Sequence, residues 1–175
     1  MPRIDLYSLP HKALRLAVAH GGTVLSATDP DRLPDDLLVV RSVLAELRSH
    51  AAHEDEFIHP LLARLAPGVE AELAAQHVEL DAALDALDRR LDAPVTPDGI
   101  TDLFRAYQRM AARNLLHLDH EETVAMPALW AKAPDVSLEA LMDRFRAAHP
   151  DAVDLYRRWS AALSAEERQR VGVAA

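Results

Sequence analysis

The motif H-x-x-H-E occurs twice in this chain, at residues 50–54 and 117–121, each time with a second acid next and a proline six residues after the Glu. In a helix, residues four apart lie on the same face. The first His and the Glu of each copy are four apart, so each copy places an imidazole beside a carboxylate. Two such helices provide the side chains that a two-metal site requires.

The hydrophobic pattern around both copies predicts that these side chains face the core. From residue 103 to 128, steps of four and three alternate, a spacing typical of the buried face of a bundle helix, and His117 and Glu121 occupy two of these positions. The pattern from residue 37 to 65 includes His50 and Glu54 in the same way.

Two carboxylates on buried faces need a partner. An ionised carboxylate that is buried alone costs several kcal/mol, and neither face carries a Lys or Arg that would pair with it. A bound cation would compensate both carboxylates.

The composition predicts an all-α protein of one domain. The chain has 175 residues, of which 50% are hydrophobic and 5% aromatic, with five Gly and long stretches of Ala, Leu, Glu and Arg. Helical periodicity and turn signals predict four long helices, at about residues 9–28, 34–66, 69–91 and 98–131, the last one bent near Pro127. Residues 93–97 form a predicted loop.

Short connections make neighbouring helices antiparallel, so residues 1–134 are predicted to form an up-down-up-down four-helix bundle. Residues 135–175 are predicted to be a C-terminal helical extension of the same domain, with pieces at 137–148 and 151–162. A capping box at Ser164 predicts a last short helix.

Each predicted long helix carries at least one His toward the same end of the bundle. The candidate metal ligands are His11, His50, Glu54, His77, His117 and Glu121. We expect His53 and His120 to lie behind the ligands, in a second layer around the metal, or at the exposed rim of the site. We expect His20, His59 and His149 to lie at the surface. Asp55 and Glu122 are either solvated or hold a ligand imidazole.

Charge and cysteine content exclude several classes of function. A formal net charge of −9 argues against nucleic acid and anionic membranes as partners. Without Cys, the chain has no disulfide, thiolate site or iron–sulfur cluster, and N and O ligands suit Fe, Mn, Zn or Cu. No apolar run is long enough to span a membrane and the N-terminus is a poor secretory signal, so we expect a soluble, cytoplasmic protein.

Over residues 5–130 the chain resembles the hemerythrin-like HHE cation-binding domain. The first helix has a His in a similar context (residues 11–15), and the third helix has one His. The second and fourth helices each carry H-x-x-x-E followed by Pro. Residues 121–130 are especially similar to bacterial members of the family. It implies a non-haem di-iron centre with an oxo or hydroxo bridge. Glu54 and Glu121 would bridge the irons, and His11, His50, His77 and His117 would be terminal ligands.

The third helix departs from the oxygen-carrying hemerythrins, which have two His four residues apart there. The positions four residues either side of His77 are Leu73 and Asp81. One iron therefore has an open position, or a carboxylate or Tyr7 fills it. This departure makes reversible O₂ carriage less expected and peroxide or redox chemistry more expected.

The leading functional hypothesis is a di-iron protein that binds or reacts with O₂, H₂O₂ or NO, with catalase-like peroxide removal as an open question. One alternative is a metal-dependent sensor that signals through the C-terminal helices. Another is an iron store or buffer, or a structural zinc bundle without redox chemistry. An Fe/Mn or Zn site is less expected than two irons.

Overall fold

A computed structural model describes residues 3–93 and 95–173, and over these residues it contains helices and no strand. The prediction of an all-α protein is confirmed, while Pro94 of the predicted loop lies outside the described residues. The α-helices are α1 Ser8–Ala27, α2 Leu33–Phe57, α3 His59–Leu65, α4 Pro67–Asp92, α5 Pro97–His120, α6 Met126–Lys132, α7 Asp135–Ala148, α8 Val153–Arg158 and α9 Ala165–Arg170. None of the helices in the described ranges is long and apolar enough to cross a membrane.

The predicted second helix is divided in two. Instead of continuing to residue 66, α2 ends at Phe57, and α3 begins at His59 with Pro60 in its first turn. Proline has no backbone N–H to donate to the preceding turn, so it suits the start of a new helix better than the interior of a long one. The prediction that His59 lies at the surface is wrong, because this break turns it inward and leaves it only 6% exposed.

The fourth long helix, which was predicted to bend near Pro127, contains a π turn, Glu121–Ala125, between α5 and α6. A π turn inserts an extra residue into the helical repeat. The buried face therefore shifts by one position: Ala125 and Leu129 are buried, whereas the predicted positions Val124 and Ala128 are only half-buried.

The four long helices pack against one another in pairs: α1 with α2 and α5, and α4 with α2 and α5. They share one apolar cluster, which contains Leu14, Leu44, Leu87 and Tyr107. A second cluster is built from the start of the chain, α3, α6 and α7. On each long helix the candidate ligands lie between residues of these two clusters, so they form a polar layer between two apolar ones.

The segment after residue 134 packs onto the long helices. Leu138 and Leu141 of α7 belong to the second cluster, and Leu155 and Trp159 pack against the first. The predicted capping box is present: Ser164 and Glu167 exchange side-chain and backbone hydrogen bonds at the start of α9.

Gly21 allows α1 to approach a fully buried tyrosine. A Cβ at this position would lie 2.3 Å from Tyr107 Oη, and this hydroxyl is held in place because it donates a 2.8 Å hydrogen bond to the carbonyl oxygen of Val18. We expect Gly21→Ala to lower the free energy of unfolding by about 1–3 kcal/mol, as overpacked cores do. A Cβ at Gly22 would meet its nearest atom at 3.4 Å, so Gly22→Ala should be neutral or stabilising by up to about 1 kcal/mol. Urea denaturation of the two variants tests these predictions, and equal changes in the free energy of unfolding would contradict them.

Candidate metal centre

The structure brings the predicted ligands together in two overlapping groups. Within each group, every residue offers one N or O atom, and these atoms all lie within 4.8 Å of one another. The first group is His11, His50, Glu54 and Glu121, and the second is Glu54, His77, His117 and Glu121. Because Glu54 and Glu121 belong to both groups, the two sets of possible metal ligands share two carboxylates.

The imidazoles form two close nitrogen pairs. His11 Nε2 lies 3.1 Å from His50 Nε2, and His77 Nε2 lies 3.0 Å from His117 Nε2. Two nitrogens that are each about 2.1 Å from one ion and at right angles around it lie roughly 3.0 Å apart. Each pair therefore has the spacing of two adjacent ligands on a single ion.

The outer nitrogens of three imidazoles fix which ring atom faces the centre. Each Nδ1 lies within hydrogen-bond distance of an oxygen that accepts: His11 with Glu122 Oε1 at 2.8 Å, His77 with Asp55 Oδ1 at 2.9 Å, and His117 with Gln76 Oε1 at 2.8 Å. In a neutral ring, such an oxygen holds the proton on Nδ1, so that the Nε2 lone pair faces the centre and is available to a metal ion. Metal-binding imidazoles in proteins are oriented in this way.

The two shared carboxylates are buried, with Glu54 2% and Glu121 0% exposed. None of their four oxygens has a hydrogen-bond partner within the described part of the chain. The neighbouring groups that can carry positive charge are imidazoles. For example, His50 Nε2 lies 3.0 Å from Glu54 Oε1. No Lys or Arg among the described residues forms an ion pair with either carboxylate. Since unpaired buried carboxylates cost several kcal/mol, this set of donors fits bound cations.

Without a cation, the carboxylates and imidazoles compete for protons. Burial and the negative charge of Glu54 raise the pKa of Glu121 to about 8. Burial lowers the pKa of His11 and of His77, but contacts with carboxylates outweigh it and raise these pKa values to about 10 and about 9. Burial lowers the pKa of His117 to about 3. In the absence of a metal ion, bound protons thus compensate the negative charge of the buried carboxylates.

These shifts predict how the stability of the metal-free protein depends on pH. The pKa values of His11 and His77 are raised above the ordinary value of 6.5, so their stabilising contribution is complete below pH 6.5 and is lost as the pH rises through 9 to 10. The raised pKa of Glu121 also makes the free energy of unfolding fall as the pH rises to about 8. We therefore expect the free energy of unfolding in chelator to fall between pH 6.5 and 9, as measured by urea denaturation. A rise over this range would contradict the assignment, and the iron-loaded protein is the control, because metal binding strengthens as ligands lose protons.

Tyr7 is a buried neighbour of the site. Its side chain is 0% exposed, its hydroxyl has no hydrogen-bond partner among the described residues, and its ring centroid lies 5.4 Å from that of His11. Burial, followed by the charges of Glu121 and Glu54, raises its pKa well above 10. Tyr7 therefore provides a neutral O–H group next to the carboxylates.

Several supporting residues were not predicted. Gln76 holds His117, Arg15 donates to Glu122 Oε1 at 2.6 Å, and His59 stacks on His77 with ring centroids 4.9 Å apart. The sequence contained a signal for two of these residues. Gln76 directly precedes the candidate ligand His77, and Arg15 is four residues after His11, on the same helical face. Asp55, His59 and His77 form a third group of close donors.

The remaining histidines lie outside the two groups. His20 is exposed, as predicted. His120 is partly exposed and approaches Glu72 at 3.4 Å, and His53 packs against Phe145 and His149. His149, predicted at the surface, is half-buried by this contact.

Comparison of the chain with protein-family models gave no match, and comparisons with curated proteins and with solved structures gave none either. The functional assignment therefore depends on the residues of the site and their geometry, and the resemblance to hemerythrin-like domains stays a prediction.

Proposed function

We propose that the chain is a hemerythrin-like non-haem di-iron protein that binds or reacts with O₂, H₂O₂ or NO. In this proposal α1, α2, α4 and α5 form an up-down-up-down four-helix bundle around the two ions. One observation carries the proposal: four buried carboxylate oxygens, which have no hydrogen-bond partner among the described residues, lie between two pairs of imidazole nitrogens.

The overlapping groups assign the ligands. His11 and His50 would hold one ion, His77 and His117 the other, and Glu54 and Glu121 would bridge them. Each ion would receive two nitrogens and two oxygens from the chain. Iron accepts more ligands than these four, so open positions would remain for an exogenous molecule.

The choice of iron over zinc rests on the resemblance to hemerythrin-like domains. Nitrogens 3.1 and 3.0 Å apart suit two right-angled ligands of any ion that binds more than four ligands.

If His11, His50, His77 and His117 with the two glutamates held an iron pair, the reduced pair would supply the two electrons and the open coordination positions that reaction with O₂ or peroxide requires. The chain contributes orientation and protons. Asp55, Gln76 and Glu122 fix three of the imidazoles, and apolar clusters lie on both sides of the centre. The Tyr7 hydroxyl holds a proton in a buried position beside the carboxylates.

Peroxide decay tests the reactive form of this proposal. We expect iron-loaded protein to convert two H₂O₂ into one O₂ and two H₂O, as followed by ultraviolet absorbance and an oxygen electrode. Tyr7→Phe should retain its iron but decompose peroxide at least tenfold more slowly, because a positioned proton donor contributes about 10²–10⁴-fold. An unchanged rate would show that Tyr7 only fills the core. Decay no faster than that of the same iron in a small chelate would contradict peroxide turnover and leave binding of O₂ or NO.

A metal-dependent sensor is the second candidate function, and the lining of one cavity favours it. Residues of α7 and α8 line the same cavity as His50, so a ligand at the metal centre would be adjacent to the C-terminal helices. Hydrogen exchange in α7 and α8, measured with and without NO on the reduced protein, tests this role. Identical protection in the two states would exclude it.

A further inference from the structure

A cavity of about 330 Å³ lies between α2 and the C-terminal helices and ends at the candidate metal centre. His50 and Glu54 form part of its wall. The side chain of His50 is 12% exposed, whereas those of the other five candidate ligands are between 0% and 6% exposed. The cavity therefore opens onto the ion site of His11 and His50 in particular.

The volume of this cavity exceeds what a diatomic molecule or H₂O₂ needs. At roughly 30 Å³ for each water molecule, it has room for about eleven waters, and O₂ or H₂O₂ occupies the space of one or two. Pockets that bind organic ligands begin at about 300 Å³. The cavity is therefore large enough for an organic molecule.

The lining of the cavity favours an apolar occupant and disfavours an anionic one. Its apolar wall includes Phe57, Ile58, Leu141, Met142, Phe145 and Leu155. In the wall, Arg158 is paired with Glu46 at 2.6 Å and Asp154 is paired with Arg157 at 2.6 Å, while Asp151 adds negative charge. In the metal-free protein, an anionic ligand would therefore meet repulsion without a free Arg or Lys among the described wall residues to compensate it.

We propose that this cavity binds a neutral, mostly apolar organic molecule with its single oxygen-bearing end against His50 and Glu54. The inference deepens the proposed function by naming a class of substrate, and it rests on that function for the identity of the metal at the inner end. The C-terminal segment then has a defined role, because α7, α8 and the turn at residues 150–152 complete the pocket.

Calorimetry with 2-phenyl-2-propanol tests the proposal on the metal-free and the iron-loaded full-length protein. This neutral alcohol has about ten non-hydrogen atoms, and for a ligand of that size we expect a dissociation constant below about 1 mM. Benzoate is similar in size but anionic, and it should bind the metal-free protein at least tenfold more weakly. Absence of heat up to about 10 mM alcohol would overturn the proposal. Binding of benzoate to the metal-free protein as tight as that of the alcohol would show that the cavity does not discriminate against anions and would overturn the choice of a neutral ligand.

Variants locate the binding in the cavity. Ala152 lines the cavity, so Ala152→Trp should fill it and weaken alcohol binding at least tenfold. Ala147→Trp is the matched control, because Ala147 is exposed on α7 outside the cavity, and it should bind as the unmodified protein does. Met142→Trp is a second filling variant in case the first fails to fold. Equal binding by a folded filling variant and the control would place the alcohol elsewhere and overturn the proposal.

The two proposals can fail separately. Alcohol binding to the metal-free protein does not depend on iron, and iron content is measured without the alcohol. If the alcohol binds but iron does not load, the pocket is supported and the di-iron function is contradicted. If iron loads but the alcohol does not bind, the pocket proposal fails and the metal centre stands.

Discussion

Replacing Glu121 with leucine should abolish the binding of both metal ions at once. Glu121 belongs to both donor groups and is 0% exposed, so its loss removes an oxygen ligand from each ion and leaves an apolar side chain between them. We expect the iron content after loading to fall from two per chain to fewer than about 0.2, because the same carboxylate links both sites.

The same variant should be more stable than the parent when both are metal-free. Replacing a buried charged group with an apolar one of similar volume is often neutral or stabilising, by about 1–4 kcal/mol. The pKa of Glu121 is raised from its ordinary value of 4.5 to about 8, so the stability that this buried carboxyl costs grows as the pH rises from 4.5 to about 8 and is constant above that pH. The gain should therefore be larger at pH 9 than at pH 6, as measured by urea denaturation in chelator.

Glu79→Leu is the matched control for this variant. Glu79 lies on α4, two residues from His77, but its side chain is exposed. It should load two irons and show no dependence of its stability on pH beyond that of the parent. Full iron loading of Glu121→Leu would show that this carboxylate is not a ligand, whatever the effect on stability.

Removing the metal from the loaded protein should lower the melting temperature by roughly 8–16 °C. A ligand that binds only the folded state at 1,000 times its dissociation constant stabilises that state by about 4 kcal/mol. For a chain of 150–250 residues, each kcal/mol shifts the melting temperature by about 2–4 °C. We expect a large effect because bound ions would neutralise two carboxylates that lie buried without hydrogen-bond partners in the described part of the chain.

Differential scanning calorimetry before and after chelation measures this shift. The Glu121→Leu variant serves as the control and should melt at the same temperature with and without chelator. A loaded protein whose melting temperature does not change on chelation would show that the polar layer is stable without metal.

Much of the candidate site follows from spacing alone. Helical spacing places His11 on one face with Leu14, Val18 and Leu25, and all four residues are buried in the structure. It places His77 on one face with Leu73, Leu80 and Leu84, which are buried as well. Regular helices make such predictions reliable, because a side chain's direction repeats with the helical period. The convergence of the six candidate ligands required one more step, namely that neighbouring helices run antiparallel.

The errors occur where the helical period is interrupted. The break after Phe57 moved His59 inward, and the π turn from Glu121 to Ala125 shifted the buried face by one residue. Both interruptions lie just after a candidate glutamate and at or before a proline. Sequence periodicity assumes a constant repeat, so it could not anticipate either shift.

The partners of the outer imidazole nitrogens depend on contacts between helices. Gln76 of α4 reaches His117 of α5, and Glu122 reaches His11 of α1. Periodicity within one helix carries no information on such pairs. The cavity has the same origin, since residues far apart in the chain form its walls.

Anomalous scattering from crystals of iron-loaded protein, recorded at the iron absorption edge, tests the central proposal most directly. The account predicts two iron peaks about 3.5–4 Å apart, one beside His11 and His50, the other beside His77 and His117, with Glu54 and Glu121 between them. A single peak, or peaks at the group of Asp55 and His59, would contradict a di-iron centre in the polar layer.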